Sequence, residues 1–333
     1  MGNLRLAHSR IAILVTVIFG VLILFACQLV RVQVIQANAY QAKAANEMQS
    51  TRVIPAPRGE ITDVNGIGFA RSVSAINIVV DQTQISDPAR VAAFVAPILN
   101  LPAADIQSSI TGTRKYSIVL RNARPALWDL LTEKLYNYNK TLENKELENR
   151  IIGFFPERVF IREYPSGSLV SSLIGFVRAD GIGASGLESG QNSVITGTDG
   201  RYSYARGYGA EIPGSQRELV AAKSGTNIRL TINRDVQWVA AEAITQAVKD
   251  SAATSGTVIV MDPKTGHILA HATAPTFDPN NTKTVSQSLM RNPSVQDVYE
   301  PGSTGKIMTL AAALEENKVT PETVLSVPYS LKR

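Results

Sequence analysis

The chain has 333 residues, enough for two domains and at least one sizeable core. Hydrophobic residues make up 44% and charged residues 18%, which excludes a disordered or collagen-like chain; one Cys and three His exclude a disulfide framework and leave little room for a metal cluster. The net charge of +5 is spread along the chain and leaves no concentrated basic footprint for a nucleic-acid partner.

A short tail, residues 1–10, precedes an uncharged apolar run from Ile11 to Val30. Twenty helical residues at about 1.5 Å each reach about 30 Å, the thickness of a bilayer's hydrocarbon core. Ala37-Asn38-Ala39 has the small-residue look of a cleavage site, but the apolar run is too long for a secretory signal. Leu24-Phe25-Ala26-Cys27 is loosely like a lipoprotein site, but Phe25 is bulky and the apolar run continues past Cys27. An uncleaved single-pass anchor over 11–30 is therefore expected. Arg5 and Arg10 lie before it and Arg31 and Lys43 after it, so the charge flanks give no orientation.

Residues 31–52 are Ala/Gln-rich and read as a helix continuing from the membrane, stopped by Pro55, Pro57 and Gly59. A first folded unit is expected over 53–225. Within it Ile76–Val80 and Ser117–Leu120 have the pattern of strands, and Asp87–Leu99 and Pro125–Tyr138 that of helices. Lys140–Arg150 is a solvated helix or loop, and Gly181–Gly214 reads as loops and short strands. A second unit is expected over 226–333. Asn233 is placed to cap a helix whose inner face carries Val236, Val239, Ala240, Ala243, Ile244 and Ala247. Thr257–Met261 and Ile268–Thr273 then form a hairpin around Asp262-Pro263-Lys264-Thr265-Gly266, and a helix with Ile307, Leu310, Ala311 and Leu314 on one side begins near Pro301.

Several motif matches fail on physical grounds. Gly181-Ile182-Gly183-Ala184-Ser185-Gly186 fits a dinucleotide fingerprint, but no amphipathic helix follows to receive a pyrophosphate. Gly305-Lys306 lacks the first glycine and the hydroxyl residue of a phosphate loop. His267 and His271 on a strand are about 13 Å apart and cannot share an ion, so no metal is expected.

Ser303-Thr304-Gly305-Lys306 is the constellation that survives. Residues three apart on a helix bring their Cβ atoms to about 5–6 Å, so a Ser hydroxyl and a Lys amine can meet. A Lys serves as base for a Ser when burial and neighbouring cations depress its pKa, and a helix N-terminus favours negative charge developing on the hydroxyl. This suits acyl transfer through a serine ester. A capping Ser followed by an exposed Lys fits the same spacing.

Further stretches set this one in context. In order they are Pro57-Arg58-Gly59-Glu60-Ile61-Thr62-Asp63-Val64-Asn65-Gly66, then Arg158, Tyr164-Pro165 and Gly186-Leu187-Glu188, then 261–270 and Pro275–Asn280, then Tyr299-Glu300-Pro301-Gly302-Ser303-Thr304-Gly305-Lys306. Together they resemble the motifs of the class B penicillin-binding proteins, bitopic transpeptidases that cross-link bacterial peptidoglycan. Val64 departs from the usual Arg of the first motif, and Gly305 from the usual larger apolar residue of the last. Glu300 fits the septal, cell-division type better than the elongation type.

The resemblance implies an α+β chain: one transmembrane helix, an extended pedestal (dimerisation) domain, and an incomplete β-lactamase-like serine-transpeptidase domain. It implies Ser303 as the nucleophile on the penultimate D-Ala carbonyl of a stem peptide, and Lys306 as its general base. The partners it implies are peptidoglycan stem peptides on lipid-linked precursor, β-lactams, and a membrane-embedded division or elongation glycosyltransferase with its associated proteins. No cofactor, metal or nucleic acid is implied. The chain would sit in the cell membrane with residues 1–10 cytoplasmic and the bulk extracytoplasmic. The family's Ser-x-Asn and Lys-Thr-Gly motifs do not follow Ser303, so the expectation is a chain truncated after the nucleophile motif, inactive alone and with apolar sheet surface uncovered. A non-catalytic, membrane-anchored pedestal that binds division or elongation partners is the alternative.

Overall fold

The structure is a computed structural model and describes residues 2–36, 49–142, 148–207, 210–212, 214–327 and 329. Helix α1, Gly2–Val30, runs on through a wider turn at Arg31–Ile35. Its stretch Val15–Gln33 is long and apolar enough to cross a membrane and touches nothing else in the fold. Such a helix, apolar on every side, has no core to face and needs a lipid environment.

The helix expected over 31–52 is met at Arg31–Ile35 and contradicted at its far end. Residues 37–48 lie outside the described residues, and Gln49–Ile54 is a strand, β1. Thr51, Val53 and Ile54 are β-branched and suit a pleated surface, and their partner strand lies 150 residues away, where local composition gives no sign of it.

The first unit is organised on one long strand. After β2 (Ile61–Thr62) comes β3 (Gly68–Val80), paired antiparallel with both β4 (Ser117–Ala123) and β5 (Phe154–Glu163). Ile76, Ile78 and Val80 alternate onto one face of β3. Against them pack α2 (Pro88–Leu99), α3 (Ala103–Ile110) and α4 (Pro125–Thr141), through Val91, Val95 and Leu99, through Ile106 and Ile110, and through Leu131 and Leu135. The helical spacing of those residues is the reason they share one face. Asp87 caps α2 by accepting from the Arg90 N–H at 3.1 Å, and Asn100 ends it in the left-handed conformation at φ 53°. Every strand and helix expected from periodicity is present, and β3, β4 and α4 run longer than the sequence suggests. Strand β5 and helix α3 escape a reading by periodicity: β5 mixes Pro156, Glu157, Arg158 and Arg162 among its apolar residues.

A buried ion cluster closes the base of this unit. Glu188, on the short helix that follows α5 (Ser171–Ile174) and spans Gly186–Gly190 (α6), is fully buried. Arg58 Nε donates to its Oε2 at 2.6 Å and Arg162 Nε to its Oε1 at 2.7 Å. Arg58 also donates to the Glu188 carbonyl at 2.6 Å, to Asn192 Oδ1 at 2.9 Å and to Thr196 Oγ1 at 2.6 Å. Arg158, the arginine singled out by its place among the motifs, is exposed; Arg162, four residues on, does the pairing. The glycine passage at 181–186 serves this packing. A Cβ on Gly183 would lie 1.9 Å from the Glu188 carbonyl oxygen, and Gly186 takes a positive φ of 56°. Beside the cluster, burial first and then the Glu188 charge push the Tyr164 phenol well above its usual range. It stays neutral and accepts from the Val177 N–H at 2.9 Å.

After α7 (Asn192–Ile195), β6 (Gly200–Gly207) pairs antiparallel with β1, and β7 (Ala210–Glu211) and β8 (Arg217–Val220) pair with β6. The chain just beyond 225/226 still pairs with the first unit. Strand β9, Ile228–Arg229, runs parallel to β2 inside the first unit's sheet, and Val64 N donates to Ile232 O at 2.9 Å. A two-residue strand has no periodicity to read, so the sequence signal begins only at Asn233.

The second unit has its own sheet. Helix α8, Arg234–Asp250, is capped by Asn233, whose Oδ1 accepts from Asp235 N at 2.9 Å and Val236 N at 3.3 Å. It lies on the hairpin of β10 (Gly256–Met261) and β11 (Ile268–Ala274), with Ala240 and Ile244 against Ala270, Ala272 and Ala274. Val239, Ala243 and Ala247, expected on the inner face, are exposed, and Gln237 takes a buried place instead. Its amide is fully used: Nε2 donates to the carbonyls of Leu169 and His271 at 3.0 Å, and Oε1 accepts from His271 N at 2.7 Å.

Two outcomes follow. Glu188→Ala strands two buried guanidinium groups and is expected to destabilise the protein by about 3–5 kcal/mol, whereas Arg158→Ala stays within about 0.5 kcal/mol, by denaturant melts of the detergent-solubilised chain. Burial holds the His271 imidazole below its ordinary value of 6.5, so the fold favours the neutral ring. That stability is complete above the unfolded-state value and is lost as pH falls through the folded-state value. Melts below about pH 6.5 should show a decline that His271→Gln flattens.

Candidate active site

Ser303 and Lys306 stand at the start of the last helix. Pro301 and Gly302, the latter with φ 54°, turn the chain into a tight 3-10 turn, Gly302–Gly305. Thr304 N donates to Pro301 O at 3.1 Å within that turn. After α9 (Pro293–Gln296), the turn feeds directly into α10, Lys306–Glu315. Ser303 therefore lies on the 3-10 turn and Lys306 opens the α-helix, one turn apart, as the i to i+3 spacing requires. The unsatisfied N–H groups of this helix start surround the Ser303 end with partial positive charge.

Both side chains are exposed, and neither has a hydrogen-bond partner among the described residues. The helix behind them is also uncovered: Ile307, Met308 and Leu310 are each more than half exposed, so the side expected to face inward packs against nothing. Across the hairpin, Ile259 and Met261 of β10 are about half exposed as well. Ser303 and Lys306 can thus supply a nucleophile and a nearby amine. Acyl transfer also needs donors converging on an oxyanion from a facing wall and a clamp on the substrate, and among the described residues no element packs over Ser303 to add them.

The segment leading to this helix is anchored on the first unit. Asn280 Oδ1 accepts from Tyr164 N at 3.0 Å, its Nδ2 donates to Tyr164 O at 2.9 Å, and Thr276 Oγ1 lies 2.6 Å from Ser171 Oγ. Gln237 joins the same two units through Leu169. Asp63, buried in the first unit, accepts from Arg234 N at 3.3 Å at the start of α8. Sequence reading did not find Gln237 or Arg162 as structural partners. For Arg162 the signal was available: it lies two residues before the buried Tyr164, and in extended chain such residues share a face. His267 lies exposed on the hairpin turn and His271 is buried on β11, with Nε2 2.6 Å from Ser294 Oγ. Among the described residues no group of three or more His, Cys, Asp or Glu could hold a metal.

Comparison with known proteins agrees with this arrangement. The family model for the penicillin-binding protein dimerisation domain matches residues 53–230, and that for the penicillin binding protein transpeptidase domain matches 256–332. Penicillin-binding protein PbpB of Mycolicibacterium smegmatis is 33% identical over 335 residues, covering 94% of this chain and 51% of that protein. The crystal structure of a peptidoglycan synthetase from Bifidobacterium adolescentis superimposes with a TM-score of 0.58 at 26% identity, over 86% of this chain and 54% of that one. That of penicillin binding protein 3 from Mycobacterium tuberculosis, complexed with ampicillin, does so with a TM-score of 0.51 at 26% identity, over 84% and 41%. The chain spans about half the length of the curated relatives it matches. With a dimerisation-domain match over more than half its length, followed in order by a transpeptidase-domain match that takes in Ser303 and Lys306, the chain belongs to the class B penicillin-binding proteins.

Proposed function

We propose that these residues form the membrane anchor, the pedestal and the nucleophile-bearing part of a serine D,D-transpeptidase that cross-links peptidoglycan. One observation carries the reading: Ser303 and Lys306 sit one turn apart at a helix start, and the chain leading to it is fastened to a dimerisation-type unit by the Asn280 and Gln237 hydrogen bonds. Residues 53–225, with the strand at 228–229, form the pedestal. In the reaction Lys306 takes the Ser303 proton as Oγ attacks the penultimate D-Ala carbonyl. The C–N bond to the terminal D-Ala breaks, that D-Ala leaves with a proton on its amine, and an acyl-enzyme remains. An amine of a neighbouring stem peptide then attacks the ester and frees Ser303. A β-lactam acylates the same hydroxyl. Glu300 immediately before Pro301-Gly302-Ser303 favours the septal over the elongation role, with a membrane-embedded glycosyltransferase as the working partner.

The polypeptide of residues 1–333 by itself is expected to label poorly with a fluorescent penicillin, because Ser303 is exposed and, among the described residues, no facing wall brings a further oxyanion donor to it. Loss of a single such donor lowers acylation by about 10²–10³. Joining residues 1–327 to the remaining half of the mycobacterial relative should restore labelling, and Ser303→Ala should abolish it. Rapid stoichiometric labelling of 1–333 would contradict the need for a second wall to the site. No labelling of the folded fusion would favour the alternative, a non-catalytic pedestal that binds division or elongation partners.

The topology follows from the same reading: residues 1–10 cytoplasmic, everything from 31 onward outside. Protease added to spheroplasts should degrade the folded mass, and complete protection would refute this orientation.

A further inference from the structure

The three strands nearest the anchor carry their charge unevenly. Thr51, Ser203 and Arg217 stand in one cross-strand row of β1, β6 and β8, and Val53, Arg201 and Val220 in another. Directly opposed residues share a face, as do residues two apart on a strand, so these six line one side of the sheet. The row between them, Arg52, Tyr202 and Glu218, belongs to the other side. There Tyr204 is buried and stacks with Tyr202 at 5.8 Å between ring centroids.

The first side is open. Val53, Val220 and Leu219, which sits at the register shift between the rows, are 55%, 47% and 57% exposed. Arg201 and Arg217 are exposed and form no ion pair among the described residues. The strand residues on this side include no carboxylate, whereas Glu218 is on the opposite side. A second copy of the same face would set arginine against arginine, which argues against self-association.

Two facts identify the occupant. The sheet begins at Gln49, and the chain between Gln36 and Gln49 reaches at most about 45 Å, so the sheet stays close to the bilayer that holds α1. Arginines set among aliphatic side chains are the chemistry of an anionic headgroup layer over an apolar interior. We propose that this face docks on the headgroups of the protein's own membrane, with Arg201 and Arg217 on lipid phosphates and Val53, Leu219 and Val220 at the boundary of the acyl region. The contact would set the height and tilt of the pedestal above the membrane. It depends neither on the side of the membrane nor on the transpeptidase reading.

The test uses the full chain carrying Cys27→Ser and a single cysteine at Leu219, labelled with a fluorophore. It is reconstituted in vesicles of phosphatidylcholine alone or rich in phosphatidylglycerol, each with a headgroup-attached quencher. Tyr116→Cys, on an exposed edge far along the pedestal sheet, is the reference, and Val53→Cys is the second probe should Leu219→Cys fail to fold. Quenching at 219 should exceed that at 116 in phosphatidylglycerol vesicles and weaken in high salt. The pair Arg201→Glu and Arg217→Glu should lower it by about tenfold or more. Equal quenching at 219 and 116, or quenching indifferent to the charge reversal, overturns the proposal. Shielding of 219 in native membranes but not in protein-free vesicles also overturns it, and assigns the face to a protein partner instead.

Discussion

One carboxylate organises the base of the pedestal. Glu188 has no solvent exposure and receives one guanidinium from Arg58, just ahead of the β2 strand, and another from Arg162, at the end of β5. Three segments distant in sequence therefore meet at two oxygen atoms. Burying an unpaired charge is prohibitive, so the geometry at each oxygen has to be satisfied before the surrounding packing can close. The neighbouring glycines follow from it. Gly183 lacks a Cβ because the Glu188 backbone lies where that carbon would be, and Gly175 lacks one because the Ser185 carbonyl does. Ser72 adds the β3 strand, donating to Arg58 O at 2.9 Å and accepting from Arg58 N at 3.0 Å.

The second unit is held by polar contacts of a different kind. Gln237, Asn280 and Asp63 each use side-chain oxygens or amides on backbone groups across the junction. Backbone groups are present whatever the side chain, so such contacts fix position without needing a matched partner residue. Ile268 packs against the pedestal's Ile61, Phe69 and Ile232 cluster, adding an apolar contribution to the same junction. Helix α10, next to Ser303, gains nothing from this arrangement directly: its apolar side chains remain uncovered, and only the chain leading to it is fixed.

How much of this was legible in the sequence varies with the physical signal. The anchor, α2, α4, α8 and the β10–β11 hairpin were readable because each has a cap, a proline or a clear period: Asp87 and Pro88, Pro125, Asn233, and the Asp262–Gly266 turn. The pair Ser303 and Lys306 was readable as a spacing and became meaningful only beside the other motifs. What escaped was long-range. The first residues of β1, up to Arg52, read as the end of a helix because their partner, β6, is distant; β9 is too short to show a period; Arg162 and Gln237 are polar residues whose burial depends on acceptors elsewhere in the chain. Val239 was misplaced for the same reason: a hydrogen-bonding glutamine displaced a valine from the inner face.

Gln237 has a mechanical meaning as well. One side chain grips Leu169 on one side and both peptide groups of His271 on the other, with all three hydrogen bonds buried or nearly so. The two His271 bonds tie α8 to β11 within the second unit, and the Leu169 bond is the one of the three that crosses to the first. Rocking the second unit on the first would break that crossing bond while helix and hairpin move as one piece, and each orphaned group costs about 1–3 kcal/mol. A torque on the pedestal that enters at Leu169 is therefore shared at once between α8 and the hairpin.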